Sequence, residues 1–250
     1  MKHKWYEIKA QADGEEAEVW LYAEIGEDFW GDGSSIPART FAAELAQIEA
    51  QRIALHINSP GGDVFDGQAI YTLLKNHPAT VTTYIDGLAA SIASVIALAG
   101  EHVVMAENAL YMIHQPFGMT RGTAADHLKT ADILDHISDA MAGVYEARSD
   151  MKHEAIVAAM DAETWYTASK ALEAGFVDEI SENVQAAALA RFDLKALGFR
   201  HPPEPEPDEP ELPAAQAPEA AEKASGDSDP TLIARTVNLL TRPHEGGQKR

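Results

Sequence analysis

Between Val19 and Ile180, short apolar runs alternate with segments whose apolar residues recur at helical spacing. The predicted strands are Val19–Ile25, Arg52–Ile57, Thr80–Ile85, His102–Ala106 and Ala109–Ile113. The predicted helices cover Ala38–Gln51, about Phe65–Asn76, a segment that begins near Ser91, about Thr123–Arg148, and Ala168–Ala174. Strands that alternate with helices in this way predict an α/β fold with a largely parallel sheet.

The pattern changes at the C-terminal end, where residues 201 to 230 alternate Pro with Glu and Asp. Such a segment buries too little apolar surface to offset the entropy lost on ordering, which predicts an extended, disordered tail. The sequence therefore predicts an N-terminal segment (1–18), a folded domain (19–198) and an acidic tail (199–250). Apolar residues between Leu232 and Leu240 fit either one short amphipathic helix or a tail without structure.

Composition narrows the possible functions. The formal net charge of -21 argues against nucleic acid as a partner, because phosphate binding requires clustered Lys and Arg. The absence of cysteine excludes disulfides, a thiolate nucleophile and a Cys-ligated zinc site. Neither a signal-peptide h-region nor an apolar run of about 18 residues occurs, so we expect a soluble cytoplasmic protein without membrane contact.

A glycine turn follows the second predicted strand. Asn58-Ser59-Pro60-Gly61-Gly62 lies between an apolar strand and a helix. Paired glycines there allow positive φ angles and bring backbone N–H groups close to a ligand, as an oxyanion hole requires. A tight strand-to-helix turn without a ligand accounts for the same residues.

Two serines lie where the third predicted strand passes into a helix. In the segment Gly87 to Ser94, small residues surround Ser91, which exposes its hydroxyl and directs the helix N-terminus at a developing negative charge. We therefore predict Ser91 as a nucleophile, with Ser94 as the competing candidate one turn later. Helix capping or close packing is the alternative role for a serine among alanines.

A histidine ends the strand at Tyr111 to Ile113, just before Gln115 and Pro116. A rigid strand can present one nitrogen of His114 to a serine hydroxyl and the other to a carboxylate, as general base catalysis requires. His56 alternates within a strand and fits a hydrogen-bonded structural role instead.

The motifs INSPGG, GLAAS and MIHQP, in this order, resemble the Clp protease proteolytic-subunit family, and TASKALEAGFVDEI resembles its closing helix and strand. The resemblance implies the Clp protease/crotonase-like fold of stacked β-α-β units with a long protruding helix, and a serine endopeptidase activity without metal or cofactor. It also implies Ser91 as nucleophile and His114 as base. The implied oxyanion hole consists of backbone amides of Gly61 or Gly62 together with Ile92.

The third member of the implied triad departs from the family pattern. The family has an aspartate just before the segment that here reads AETWYTASKA, and without gaps this position falls on Ala159. Asp161 is our predicted orienting carboxylate because it is the nearest one, and Glu163 is the alternative. Such a carboxylate fixes the imidazole tautomer, so its displacement lowers activity without changing the reaction type.

Several features resemble the Clp-like head maturation proteases of tailed phages and prophages, namely KWYEIKA, MDAETW and the acidic tail. This resemblance implies capsid and scaffold proteins as substrates, a ring-shaped homo-oligomer, and a location in bacterial or phage-infected cytoplasm, or inside a prohead. The tail would then contact a portal or scaffold. The alternatives are a cellular ATP-dependent Clp proteolytic subunit, an inactive scaffold protein that kept the fold, and a crotonase-type acyl-CoA enzyme.

Overall fold

The computed structural model describes residues 6–10 (backbone only), 15–27, 35–182 and 192–203. All of them belong to the first of two compact units, which spans residues 1–203. Residues 204–250, which include most of the predicted tail and its possible helix, lie outside the described residues.

The described residues form ten strands and six helices. The strands are β1 (Tyr6–Ala10), β2 (Glu16–Leu21), β3 (Glu24–Ile25), β4 (Ser35–Ile36), β5 (Arg52–Ser59), β6 (Thr80–Ala90), β7 (His102–Ala106), β8 (Leu110–Ile113), β9 (Thr164–Thr167) and β10 (Glu179–Ser181). The helices are α1 (Ala38–Leu45), α2 (Val64–Lys75), α3 (Ile92–Ala97), α4 (Ala124–Arg148), α5 (His153–Asp161) and α6 (Ala168–Glu173). The predicted α/β class is confirmed, whereas the sequence pattern did not indicate α5 or β9.

The main sheet has the order β1-β2-β5-β6-β7-β10, and its strands are parallel except for β1. Strand β6 has two neighbours on one side: its first half pairs with β7 and its last residues pair with β8, also in parallel. Strand β9 then adds antiparallel to β8. The carboxyl ends of β5, β6 and β8 therefore meet at one place, which is where parallel sheets carry their ligands.

Strand β6 continues to Ala90 and does not end at Ile85 as predicted. Asp86 and Gly87 are typical turn residues, which is why the pattern indicated an end there. In the structure Asp86 is buried and paired, accepting a hydrogen bond from the Tyr22 hydroxyl and lying 2.8 Å from Nδ1 of His56. These partners satisfy the buried carboxylate, so β6 can continue past Asp86 and end directly before Ser91.

The main hydrophobic core of the described residues includes Phe41 from α1, Leu55 from β5 and Ile85 from β6, all fully buried. Burying a side chain of this size stabilises the fold by about 2 kcal/mol.

Helix α4 begins directly after Thr123, close to its predicted start. A capping box between Thr123 and Asp126 satisfies backbone amides of its first turn. None of the helices in the described part of the chain is long and apolar enough to cross a bilayer.

Candidate active site

Ser91 lies at the junction of β6 and α3 in an unusual backbone conformation. Its φ is 55° and its ψ is -131°, a region that side-chain-bearing residues rarely adopt. Its amide donates to the Met112 carbonyl of β8 at 3.0 Å, which ties the turn to the neighbouring strand. The side chain makes no capping hydrogen bond to α3, so helix capping does not explain this serine. A strained strand-to-helix turn of this kind projects a hydroxyl out of the sheet.

His114 follows β8 directly and faces Ser91. Its Nε2 atom lies 2.8 Å from the Oγ atom of Ser91, within hydrogen-bond distance. Only 5% of His114 is exposed, and burial lowers its pKa, with Arg200 acting in the same direction and Glu163 acting against it. The ring is therefore largely neutral at pH 7, and a neutral imidazole can accept the serine proton.

The glycine turn after β5 closes the other side of the serine. Gly61 and Gly62 have φ values of 91° and 143°, which favour glycine. The Gly61 amide donates to the Ser59 hydroxyl at 3.2 Å, and the Gly61 carbonyl accepts from Ile25 at 2.8 Å. In contrast, the amides of Gly62 and Ile92 have no hydrogen-bond partner within the described ranges. Of the predicted oxyanion donors, these two are the ones left available for a ligand.

Ser94, the competing nucleophile candidate, is fully buried beneath the turn. Its hydroxyl donates to the Ser91 carbonyl at 2.5 Å and lies 2.7 Å from the Tyr145 hydroxyl of α4. The Tyr111 hydroxyl donates in turn to the Ser94 carbonyl at 2.9 Å. Ser94 therefore supports the backbone of Ser91 from below and has no access to a substrate.

The predicted third member, Asp161, does not lie against His114. Its carboxylate accepts a hydrogen bond from the Gln115 side chain at 3.0 Å, and neither Asp161 nor Glu163 has a hydrogen bond to the His114 ring within the described residues. The pairing of β8 with β9 explains the placement. Met112 lies opposite Trp165 and Ile113 opposite Thr164, so His114 and Glu163 are the residues directly beyond the paired ends of β8 and β9.

Glu163 is buried, with 3% of the residue exposed, and has a positive φ of 51°. Its carboxylate accepts hydrogen bonds from the amides of Arg200 at 2.8 Å and His201 at 2.6 Å, and from the Trp165 indole at 3.4 Å. Burial acts to raise the pKa of Glu163, but these hydrogen bonds and the nearby His114 outweigh it and lower the pKa. Glu163 is therefore a carboxylate at neutral pH that attracts a proton on His114.

The sequence pattern missed the residues that cover His114. Phe199 stacks on the imidazole with ring centroids 5.5 Å apart and an angle of 24° between the planes. Phe117 meets the ring edge-on at 5.7 Å. Phe199 lies one residue beyond the predicted end of the folded domain, next to the acidic run that dominated the pattern there. The available signal for a folded segment was the run of apolar residues between Phe192 and Phe199, with Gly198 as a turn residue.

A cleft of about 80 Å³ opens beside the serine. Its lining comprises Glu24, Pro60, Gly61, Gly62, Ser91, His114, Phe117, Leu197 and Phe199. The described residues contain no cluster of His, Asp and Glu that could hold a metal ion. The groups positioned for chemistry are thus a hydroxyl, an imidazole, a carboxylate and two backbone amides.

The hydroxyl, the imidazole and the two amides lie at the carboxyl ends of adjacent parallel strands, which is the arrangement of a serine-type endopeptidase. The sequence profile of the Clp protease family matches residues 5–184. The chain belongs to the Clp protease family. This confirms the family and the fold that the motifs INSPGG, GLAAS and MIHQP implied.

Individual relatives agree with the profile. The ATP-dependent Clp protease proteolytic subunit 1 of Leifsonia xyli is 32% identical over 173 residues, which are 68% of this chain and 85% of the relative. The Clp proteolytic subunit of Streptococcus pneumoniae is 37% identical over 161 residues, or 58% of this chain and 79% of the relative. The structure of a ClpP1 mutant from Listeria monocytogenes superimposes with a TM-score of 0.58 at 26% identity, covering 68% of this chain and 93% of that one. These relatives are named as Clp proteolytic subunits, and none is named as a head maturation protease.

Proposed function

We propose that this chain hydrolyses peptide bonds through an acyl-enzyme, with Ser91 as nucleophile and His114 as general base. The 2.8 Å separation of Ser91 Oγ and His114 Nε2 is the observation that carries the proposal. Ser91 Oγ attacks the peptide carbonyl while its proton moves to His114 Nε2. The histidine gives that proton to the departing amine. His114 then takes a proton from water, which attacks the acyl group, and returns it to Ser91 Oγ as the acid product leaves.

The backbone amides of Gly62 and Ile92 bind the oxyanion in this proposal. Ile92 follows Ser91 directly and Gly62 lines the cleft beside the serine, and both amides lack a partner among the described residues. Gly61 contributes differently, because its own amide is held by Ser59 and its missing side chain lets the turn approach the serine. Preorganised donors of this kind each lower the barrier by about 3 kcal/mol.

For the orienting carboxylate we propose Glu163 in place of Asp161. The support is the place of Glu163 beside the paired ends of β8 and β9, its burial, and its charge, which acts to raise the pKa of His114. The Asp161 side chain is instead exposed and hydrogen-bonded to Gln115. A glutamate is one methylene longer than the family's aspartate. The positive φ of Glu163 and the three hydrogen bonds to its carboxylate restrict where that longer side chain can place its charge.

We further propose that the chain acts as the proteolytic subunit of an ATP-dependent Clp machine, in a ring-shaped homo-oligomer that receives unfolded protein from an ATP-driven partner. The support is that the relatives are named ATP-dependent Clp protease proteolytic subunits and match over most of their own length. A small cleft at the serine suits an extended, unfolded peptide better than a folded surface.

A second candidate is prohead maturation, with capsid and scaffold proteins as substrates. The observation that favours it is the acidic, Pro-rich segment 204–250, which lies beyond the region that matches the family profile. Such a segment could hold the enzyme on a scaffold or portal. In this role cleavage would need no ATP-driven partner.

One experiment tests the activity and separates the two roles. Wild type and Ser91→Ala are incubated with casein, alone or with a bacterial Clp unfoldase and ATP, and with a candidate scaffold protein, and products are identified by mass spectrometry. We expect cleavage and labelling by a serine-directed phosphonate in wild type and neither in Ser91→Ala. Labelling that persists in Ser91→Ala would refute the nucleophile. Casein cleavage that depends on the unfoldase supports the Clp machine, whereas scaffold cleavage without ATP supports maturation.

A further inference from the structure

A short segment near the end of the described residues folds back onto the site. We name residues 192–203 the C-terminal clasp. The clasp lies outside the part of the chain that matches the family profile, residues 5–184. Phe199, buried in the clasp, joins a separate apolar cluster with Leu88 and Ala90 of β6 and Met112 of β8. Phe192, Leu194 and Leu197 pack around the same cluster. The clasp is thus packed against the two strands that carry Ser91 and His114.

The clasp also anchors the carboxylate of Glu163. Two consecutive clasp amides, of Arg200 and His201, donate to its two oxygens, and the Arg200 Nε atom lies 3.8 Å from Oε2. The Arg200 guanidinium reaches the Asp161 carbonyl at 3.4 Å, which ties the clasp to the end of α5. A carboxylate that is 1% exposed depends on such donors, because burying an unsatisfied charge is costly. Without the clasp, Glu163 would lose both of these backbone donors.

The clasp restricts the imidazole as well. Phe199, only 8% exposed, stacks nearly parallel on His114 and leaves the ring little freedom to rotate away from Ser91. The clasp therefore contacts His114 through Phe199 and holds Glu163 through the amides of the next two residues. One segment thus fixes both the base and the carboxylate beside it. This couples the geometry of the serine–histidine pair to a part of the chain that follows the last strand of the sheet.

We infer that the C-terminal clasp is a positioning element of the active site, in which Phe199 holds the His114 ring and the amides of Arg200 and His201 hold Glu163. The inference rests on the proposed function of Ser91 and His114. None of the clasp residues touches a reacting atom in this scheme, so they are positioning residues. Leu197 and Phe199 also line the cleft. If the clasp only obstructed the cleft, weakening it would raise activity, whereas loss of a positioning element lowers activity.

The test uses the full chain with Phe199→Ala, Phe199→Leu and the control Lys195→Ala, which changes an exposed residue of the same clasp. The readouts are kcat and KM for a short fluorogenic peptide, the rate of phosphonate labelling, and the melting temperature. We expect Phe199→Ala to lower kcat and the labelling rate roughly tenfold or more with little change in KM, because a misplaced base slows the chemical step. Phe199→Leu should recover part of the loss, and Lys195→Ala should behave as wild type.

A second pair of variants isolates the backbone donor. Arg200→Pro removes the N–H that donates to Glu163, whereas Arg200→Ala keeps it and removes only the guanidinium. We expect Arg200→Pro to reduce kcat as Phe199→Ala does, and Arg200→Ala to retain most of the wild-type kcat.

The charged or titratable groups that face His114 are Glu163 and Arg200, so the acid limb of the pH profile is measured for each variant. With less burial of the ring in Phe199→Ala, that limb should move to higher pH.

The possible outcomes separate the inference from the proposed function. Unchanged kcat, labelling rate and pH profile in Phe199→Ala and Arg200→Pro would overturn the clasp inference while leaving Ser91 as nucleophile. A rise in kcat/KM would overturn it in favour of a clasp that obstructs the cleft. Persistent labelling of Ser91→Ala would instead reject the proposed function itself. All assays are run below the lowest melting temperature of the set, so that loss of folding is not mistaken for loss of positioning.

Discussion

Gly61 lies so close to Ser91 that a Cβ atom built on the glycine would stand 2.7 Å from the Cβ atom of the serine. The same atom would stand 2.7 Å from the Ala90 carbonyl oxygen and 3.1 Å from the Ile92 amide nitrogen. The turn after β5 and the turn after β6 are therefore packed backbone to backbone. Their contact sets the position of the nucleophile relative to the amides on either side of it.

Replacing Gly61 by Ala should disable the enzyme. The substitution forces the two turns apart and places a side chain at φ 91°, so we expect kcat/KM to fall roughly a hundredfold or more. It should also reduce the free energy of unfolding by about 2 kcal/mol. Gly143→Ala is the control, since a Cβ there meets nothing within 4 Å and alanine favours the helix by about 1 kcal/mol. Peptide hydrolysis and urea denaturation measure the two effects, and a fully active Gly61→Ala would contradict the close packing.

Glu163→Gln and Asp161→Asn distinguish the two carboxylates. If Glu163 orients His114, Glu163→Gln should lower kcat roughly a hundredfold or more, whereas Asp161→Asn should retain most activity because its side chain is exposed. The side-chain amide that Glu163→Gln introduces also meets the donor groups of Arg200 and His201, which strengthens the loss. Steady-state kinetics on a peptide substrate provide the comparison. The reverse order of effects would restore Asp161 as the third member.

The pH dependence of kcat/KM should show an acid limb below about pH 6.5, the usual value for histidine, because burial lowers the pKa of His114. Glu163 raises that pKa by its charge, so Glu163→Gln should move the limb to lower pH. Arg200 lowers it, so Arg200→Ala should move the limb to higher pH. Rates measured from about pH 5 to about pH 9 test both directions. Shifts of the opposite sign would show that these charges do not act on His114.

Ser94→Ala should impair folding more than chemistry. The change removes the hydroxyl that bonds the Ser91 carbonyl and leaves the buried Tyr145 hydroxyl without this partner. We expect a loss of about 1–3 kcal/mol in the free energy of unfolding, while phosphonate labelling still occurs at Ser91. Thermal melting and mass spectrometry of the labelled peptide check both parts. Tyr145→Phe, which removes the other hydroxyl of the pair, should restore stability when combined with Ser94→Ala.

The sequence predicted those parts of the site that depend on local pattern. Ser91 and His114 each follow an apolar strand, and the glycine turn follows a third, so an α/β fold alone brings their strand ends together. The family resemblance added the expected role of each. The geometry of Ser91 and His114 agrees with that expectation, and their catalytic roles stay predictions.

The sequence pattern could not predict which carboxylate lies near His114 or that the clasp packs on the site, because both depend on contacts between distant parts of the chain. Asp161 was the carboxylate nearest to the family position along the chain, but Glu163 is the one that adjoins β9. That strand has four residues, no periodicity indicated it, and it pairs with β8 next to His114. The sequence pattern did not indicate Phe199 because much of its burial comes from contacts with β6 and β8, which are distant along the chain. Acidic residues beyond it dominated the local composition.

The β8–β9 pairing has a consequence for how such proteins can vary. His114 directly follows β8 and Glu163 directly precedes β9, so both adjoin the same end of one antiparallel pair. Helices α4 and α5 form the connection between the two strands. A change in the length or exposed surface of α4 therefore need not alter the paired strand ends beside which the base and the carboxylate lie.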